Sequence, residues 1–140
     1  MRALDQSLQV FVYGTLKPGE RSFEHYCAPY LVTQQNVLTP GRIYHLPVGY
    51  PAMTLEKGWV KGVLMTFNSD QVFDQMDKLE GYYPDRPEES DYLRIRLPIY
   101  SLEQVRLAAA WAYVMTPEKV AAMGGEWLPD GLWTGAMAFH

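Results

Sequence analysis

Leu8-Gln9-Val10-Phe11-Val12-Tyr13-Gly14-Thr15-Leu16 is where the chain first commits to regular structure. Leu8 to Tyr13 is a short apolar run of β-forming side chains, as expected of a strand buried on both faces, and Gly14-Thr15 ends it abruptly. A turn at Lys17-Pro18-Gly19 follows. A buried strand that opens into a glycine turn exposes successive backbone N–H groups, a concavity suited to an anion. The same pattern also serves as a plain structural turn. Because the Gly-Lys-Ser/Thr ending of a phosphate-binding P-loop is missing, no nucleotide site is indicated.

Outward from this strand, Glu20 to Tyr30 has room for a helical turn or two, with Phe23, Tyr26 and Cys27 on one side and Pro29 closing it. Gly41-Arg42-Ile43-Tyr44 and Ala52-Met53-Thr54-Leu55 read as two short strands around the turn Pro47-Val48-Gly49-Tyr50-Pro51. Trp59 to Phe67 reads as a further strand, its Gly62 the mark of a bulge or of close backbone approach. Tyr92 to Tyr100 alternates, Leu93, Ile95, Leu97 and Ile99 on one face and Arg94 and Arg96 on the other, until Pro98 interrupts its hydrogen bonding. Val105 to Met115 is the last long strand, and the tail from Gly124 to Trp133 is expected to wrap the surface with Trp127 and Trp133. Many short strands with few helices predict an α+β fold: a small, mixed, barrel-like β-sheet with one or two helices packed on it.

The clearest helix follows Asn68-Ser69-Asp70. In Gln71-Val72-Phe73-Asp74-Gln75-Met76-Asp77-Lys78-Leu79-Glu80-Gly81, the residues Val72, Phe73, Met76 and Leu79 are spaced to line one face. Ser69 or Asn68 supplies an N-cap and Gly81 a C′ stop. Glu80 then carries a negative charge at the negative pole of the helix, a placement that costs about 0.3 to 1 kcal/mol and raises the pKa. A partly apolar site raises it further, toward the range of a general base near neutral pH. The competing reading is a solvated glutamate in a fraying turn. Asp77, three residues earlier, is either a neighbouring carboxylate that adds to the effect or a solvated or capping group. The polar, proline-bearing stretch from Tyr82 to Asp91 is expected to be an exposed loop and, beside Glu80, a candidate lid.

With 140 residues, the chain is expected to form a single domain over 1–140 and to bury about two-thirds of its unfolded surface. A net charge of −4, from 12 basic and 16 acidic residues with no basic run, leaves no electrostatic footprint for nucleic acid or an anionic membrane. The lone Cys27 excludes an internal disulfide and suits a reducing compartment. Met1-Arg2-Ala3-Leu4-Asp5-Gln6 puts an acid and an amide where a signal peptide has its apolar region. Leu107 to Met115, the longest apolar run, falls short of the roughly 20 residues that span a bilayer. The expectation is a soluble cytoplasmic protein. Oligomeric state stays open, since Trp127, Trp133 and Phe139 can cover a core or a dimer contact. His25, His45 and His140 show no metal-ligand spacing, so no metal site is expected. His25 and Cys27 lie too close along the chain to form a catalytic pair, and Cys27 reads as a packed thiol.

Seven segments, in order, carry a resemblance. They are Val12-Tyr13-Gly14-Thr15-Leu16 with Gly19; Gly41-Arg42-Ile43-Tyr44; Gly49-Tyr50-Pro51-Ala52; Val60-Lys61-Gly62-Val63; Met76-Asp77-Lys78-Leu79-Glu80-Gly81-Tyr82; Tyr92-Leu93-Arg94; and Ala112-Tyr113-Val114. Together, from about Val10 to Val114, they resemble the γ-glutamylcyclotransferase-like, or AIG2-like, proteins. The resemblance implies a small β-barrel with flanking helices whose cavity holds a γ-glutamyl group between the Tyr-Gly-Thr-Leu loop and a catalytic glutamate. That glutamate falls on Glu80. Gly14, Thr15 and Leu16 then offer N–H groups to the glutamyl moiety, and Tyr13, Tyr92 and Tyr113 match tyrosines that line the cavity and orient Glu80 or the substrate. Each tyrosine can equally be a core residue with a satisfied hydroxyl. Arg94, in the family's Tyr-x-Arg pattern, either pairs with a carboxylate inside the barrel or is a solvated strand-face arginine.

The implied reaction has the substrate's α-amine attack its own γ-amide carbonyl, releasing 5-oxoproline and a free amine with no enzyme nucleophile and no cofactor. Both reacting groups sit in one molecule, so the protein has to hold the cyclising conformer and move a proton. The resemblance thus implies a γ-glutamylcyclotransferase-type enzyme, of the transferase/lyase class, acting on a γ-glutamyl amine or γ-glutamyl amino acid. Two alternatives stand beside it. One is a non-catalytic small-molecule-binding protein that keeps the same cavity, since fold does not fix function; the other uses the site to cleave an amide or ester with water.

Overall fold

A computed structural model describes residues 8–136. The expectations placed on Met1 to Gln6, Phe139 and His140 lie outside the described residues. The first strand, β1 (Gln9–Val12), leads through the Gly14 turn to a short helix α1 (Phe23–Tyr26) and a 3₁₀ turn at Ala28–Tyr30. Two long strands, β2 (Leu31–His45) and β3 (Pro51–Phe67), form a hairpin; helix α2 (Gln71–Leu79) follows, then β4 (Leu93–Tyr100), β5 (Arg106–Val114), helix α3 (Pro117–Ala122) and the two-residue β6 (Glu126–Trp127).

The strands run β3-β1-β5-β4-β2-β6, and β2 also pairs with β3, so five strands close into a ring with β6 on its rim. β1 is antiparallel to β3 and parallel to β5, where Val10 meets Trp111, which makes the sheet mixed. Among the described residues a single register pair, Leu38 with Tyr100, and the Thr39 hydroxyl on the Pro98 carbonyl join β2 to β4, so the ring is thin there and falls short of a clean barrel. The alternation along β1 sorts its side chains between two cores, as period 2 demands. Phe11 and Tyr13 face the interior, which also takes Val37, Met53, Ile99 and Ala110 from the other strands. Val10 and Val12 face a second core, covered by Val72 and Met76 of α2 and by Cys27.

Several expectations need correction. The segments around Ala52 and Trp59 are one strand, not two, and its partner β2 begins ten residues before Gly41, at Leu31. Val32 to Asn36 are all exposed, so this part of β2 is held by the backbone ladder alone and has no hydrophobic alternation to read. The hairpin kinks where the register slips between Pro40 and Arg42. Gly41 and Gly58, with φ of 151° and 154°, pass each other there. A Cβ on Gly58 would stand 2.8 Å from the Gly41 carbonyl oxygen, too close for any side chain. β4 runs on through Pro98 to Tyr100 as read, Pro98 standing opposite Ala109 with no N–H to donate, and the register irregularity comes after Ile99. Helix α3 was unread, although Thr116-Pro117 is a capping signal and the Thr116 hydroxyl accepts from the Lys119 N–H. Nor does the whole tail lie on the surface: Trp127 is exposed, but Trp133 is fully buried in the ring.

Candidate active site

Glu80 is set by the way α2 stops. Its N–H donates to the Met76 carbonyl, Gly81 adopts φ +63°, the Gly81 N–H reaches Lys78 and the Tyr82 N–H reaches Asp77 at 2.8 Å. That is a Schellman ending, in which glycine supplies the left-handed residue. A Cβ here would also lie 2.5 Å from a carboxylate oxygen of Asp91, whose side chain would have to turn aside. At the other end Asp70 occupies the boundary position, while the Ser69 hydroxyl accepts the Gln71 N–H. Val72 and Met76 are buried and Phe73 is half-buried, whereas Leu79, expected on the same face, is 38% exposed and forms part of a cavity wall.

That cavity, of about 270 Å³, brings Glu80 together with Tyr13, Gly14, Thr15, Leu16, Tyr92 and Tyr113. Among the described residues the Glu80 carboxylate receives no hydrogen bond, and loss of solvation pushes its pKa up to about 7. The helix-end charge argument alone predicts less. Glu80 in turn raises the pKa of its neighbours, a second contribution after burial at Tyr13, Cys27 and, further down, Tyr92.

The three tyrosines line the cavity, but their hydroxyl protons are committed elsewhere. Tyr13 donates to the Tyr113 carbonyl and accepts from the Met53 N–H; Tyr92 donates to the Pro51 carbonyl at 2.6 Å. Tyr113 donates to Asp77 at 2.6 Å. None orients Glu80 by a hydrogen bond, which corrects that part of the expectation. Burial, chiefly, keeps all three protonated.

On the opposite wall the strand-to-turn segment is pinned at both ends. Lys17 N–H donates to the Gly14 carbonyl and Ser22 N–H to the Thr15 carbonyl, while the N–H groups of Thr15 and Leu16 find no acceptor among the described residues. Gly14 is buried against Pro51, where a Cβ would approach the ring to 2.6 Å. The buried Lys17 ammonium donates to the Trp133 carbonyl, and Glu20 accepts from the Gly135 N–H, so the C-terminal tail straps this loop from outside.

Arg94 is not a solvated strand-face residue. Its guanidinium lies 3.1 Å from both carboxylate oxygens of Asp77, with the side chains 21% and 15% exposed. Burial raises the Asp77 pKa against the opposing pull of Tyr113 and Arg94. Cys27 is a packed thiol, its Sγ on the Leu16 carbonyl and its pKa pushed up to about 12, mainly by burial. His25 is exposed, and His45 accepts the Trp133 indole N–H at 3.0 Å. Reading the sequence missed Arg21, Ser22, Tyr50 and Pro51 as lining residues. Gly49-Tyr50-Pro51 was visible as a turn; Arg21 gave no signal at all.

The model of one protein family, described as gamma-glutamyl cyclotransferase, AIG2-like, matches residues 10–135. Among solved structures, an AIG2-like protein from Mus musculus is 19% identical, covers 93% of this chain and 90% of its own, and superposes with a TM-score of 0.64. An Arabidopsis thaliana protein is 26% identical over 88% of this chain and 78% of its own, with a TM-score of 0.62. A protein from Pyrococcus horikoshii is 15% identical over 96% of each chain, with a TM-score of 0.60. No protein of curated function matches the sequence. The mixed, ring-like sheet with few helices is the fold these structures share. Among the described residues no helix is long and apolar enough to cross a membrane.

Proposed function

The chain belongs to the AIG2-like gamma-glutamyl cyclotransferase family, and on that premise we propose that it releases 5-oxoproline and a free amine from a γ-glutamyl amine or γ-glutamyl amino acid, with Glu80 as the general acid/base. Family membership implies cyclotransferase-like activity. The observation that carries the finer reading is a carboxyl of pKa about 7 on the same cavity as the Thr15 and Leu16 backbone, whose N–H groups find no acceptor among the described residues. At neutral pH such a group is divided between its two forms, able both to take a proton and to give one back.

In this reading the α-carboxylate of the substrate rests on the Thr15 and Leu16 N–H groups, where Gly14 lets the loop lie against Pro51. Glu80 removes a proton from the α-ammonium; the freed amine attacks the γ-carbonyl carbon and closes a five-membered ring. As the tetrahedral centre collapses, Glu80 gives that proton to the leaving nitrogen while its C–N bond breaks, then takes the second proton from the ring nitrogen, which becomes the neutral lactam N–H, and passes it to the released amine, which departs as an ammonium. The tyrosines act as walls, their hydroxyl protons held by backbone and Asp77, so the cavity stays shaped around the folded-back substrate. Ring closure inside one bound molecule leaves proximity to the substrate and proton transfer to the protein.

The reaction is tested by incubating the protein with a panel of γ-glutamyl amines and γ-glutamyl amino acids and measuring 5-oxoproline, wild type beside Glu80→Gln. The substitution keeps shape and removes the base. A loss of about 10² to 10⁴ in rate in a variant that still folds is the expected outcome. Undiminished turnover would remove Glu80 from the mechanism. A ligand that binds and is recovered intact would make the chain a binder, and free glutamate in place of 5-oxoproline would make it a hydrolase.

A further inference from the structure

The Glu80 carboxylate receives no hydrogen bond from any described residue. Its placement is therefore delegated to the backbone of the turn that carries it; the Gly81 carbonyl accepts the Asp91 N–H at 2.9 Å, and the side-chain fastening of the turn to the sheet runs through Asp77. Asp77, one turn of helix before Glu80, sends its carboxylate away from the cavity onto the sheet. There it takes the Tyr113 hydroxyl at 2.6 Å and the Arg94 guanidinium at 3.1 Å. Arg94 and Tyr113 are register partners on β4 and β5, so the helix docks on one cross-strand pair. The Asp77 carbonyl meanwhile accepts the Tyr82 N–H, closing the Schellman turn around Glu80.

Arg94 reaches both sides of that turn. Its guanidinium stands 4.9 Å from the Phe73 ring and 5.5 Å from the Tyr82 ring, before and after Glu80 in the chain, and 5.2 Å from Trp111 on β5. Such contacts attract a cation to each ring face. The price is visible: the Arg94 Nε is buried with no partner among the described residues. A pair so enclosed is poor evidence of net stabilisation, because desolvation offsets its attraction. Its geometry instead fixes the position of a helix end.

We propose that Arg94 and Asp77 are positioning residues: together they clamp the α2 terminus to the β4–β5 pair and hold the Glu80 carboxyl at its working place in the cavity. The proposal rests on the acid/base role given to Glu80. Neither residue lines the cavity. A displacement of about 1 Å at the reacting group is enough to cost about 10²-fold in rate, so loosening the clamp acts on turnover before it acts on binding.

Arg94→Met and Asp77→Asn are the tests, with Arg94→Lys as the conservative variant, each compared with wild type on whichever γ-glutamyl compound wild type turns over. Expected are a 10- to 100-fold fall in kcat with KM within twofold in protein still folded at the assay temperature, and partial recovery of kcat in Arg94→Lys. Unchanged kcat in folded variants would overturn the proposal, as would a rate that tracks only the folded fraction. A readout independent of turnover is the ¹³C titration of the Glu80 carboxyl. It is faced by the uncharged Tyr13, Tyr50, Tyr92, Tyr113 and Cys27 and by the cation Arg21. In Arg94→Met, expected to admit water to the loosened turn, the midpoint falls toward 4.5; a midpoint that stays near 7 sinks the clamp even if wild type turns over nothing. Absence of 5-oxoproline from every compound would instead overturn the assigned function and leave the clamp to be judged by that titration.

Discussion

At Glu80, the folded chain keeps a proton up to about pH 7 that the unfolded chain releases near 4.5. Between those values the native state binds more protons than the unfolded one, so stability contributed at this site falls as pH rises and levels off above 7. Glu80→Gln removes the cost. The variant should match wild type in thermal unfolding near pH 4.5 and exceed it increasingly up to pH 7, by a margin on the order of 1 to 3 kcal/mol. A constant difference across that range would mean burial does not hold the carboxyl protonated. Activity runs the opposite way, since the base must be ionised: kcat/KM should rise along an acid limb centred near pH 7 in wild type. The position of Glu80 at a helix end could be read from the chain, but the desolvation that dominates its pKa could not. The tyrosine partners were equally hidden, because the acceptors of Tyr13 and Tyr92 are backbone carbonyls supplied by distant segments.

Helix α2 was legible because its apolar spacing, its polar start and Gly81 all agree. The hairpin β2–β3 was not. Its early residues are exposed on both faces, and its kink depends on two glycines that approach only after the strands have paired. At this scale Gly81 is the sensitive point. Gly81→Ala forces a Cβ into the left-handed region and against Asp91, and it should destabilise the chain by about 1 to 3 kcal/mol in denaturant unfolding. It should also lower turnover more than the folded fraction explains, since the same turn carries Glu80. Equal losses of stability and activity would mean the turn supports only the helix.

Across the whole molecule, the small, mixed, barrel-like sheet could be anticipated, whereas the pairings that close it could not, because they join strands far apart in sequence. Trp133 shows the difficulty. The tail from Gly124 to Trp133 reads as a surface wrap, yet the Trp133 indole is fully buried and bonds His45. Trp133→Ala should cost about 3 to 5 kcal/mol. It should also loosen the loop from Gly14 to Lys17, because the Lys17 ammonium rests on the Trp133 carbonyl; amide hydrogen exchange at Thr15 and Leu16 would then speed up more than at β4. Uniform acceleration would confine the effect to global stability.

The position of β1 between β3 and β5 has a further consequence during synthesis. Val10 is made about a hundred residues before Trp111, the residue it pairs with. Until then a strand apolar on both faces has one edge covered, by β3, and the other bare, a template for unwanted pairing. A ribosome that stalls before Arg106 would thus display a sticky, half-paired ribbon to the chaperones and proteases of its cell.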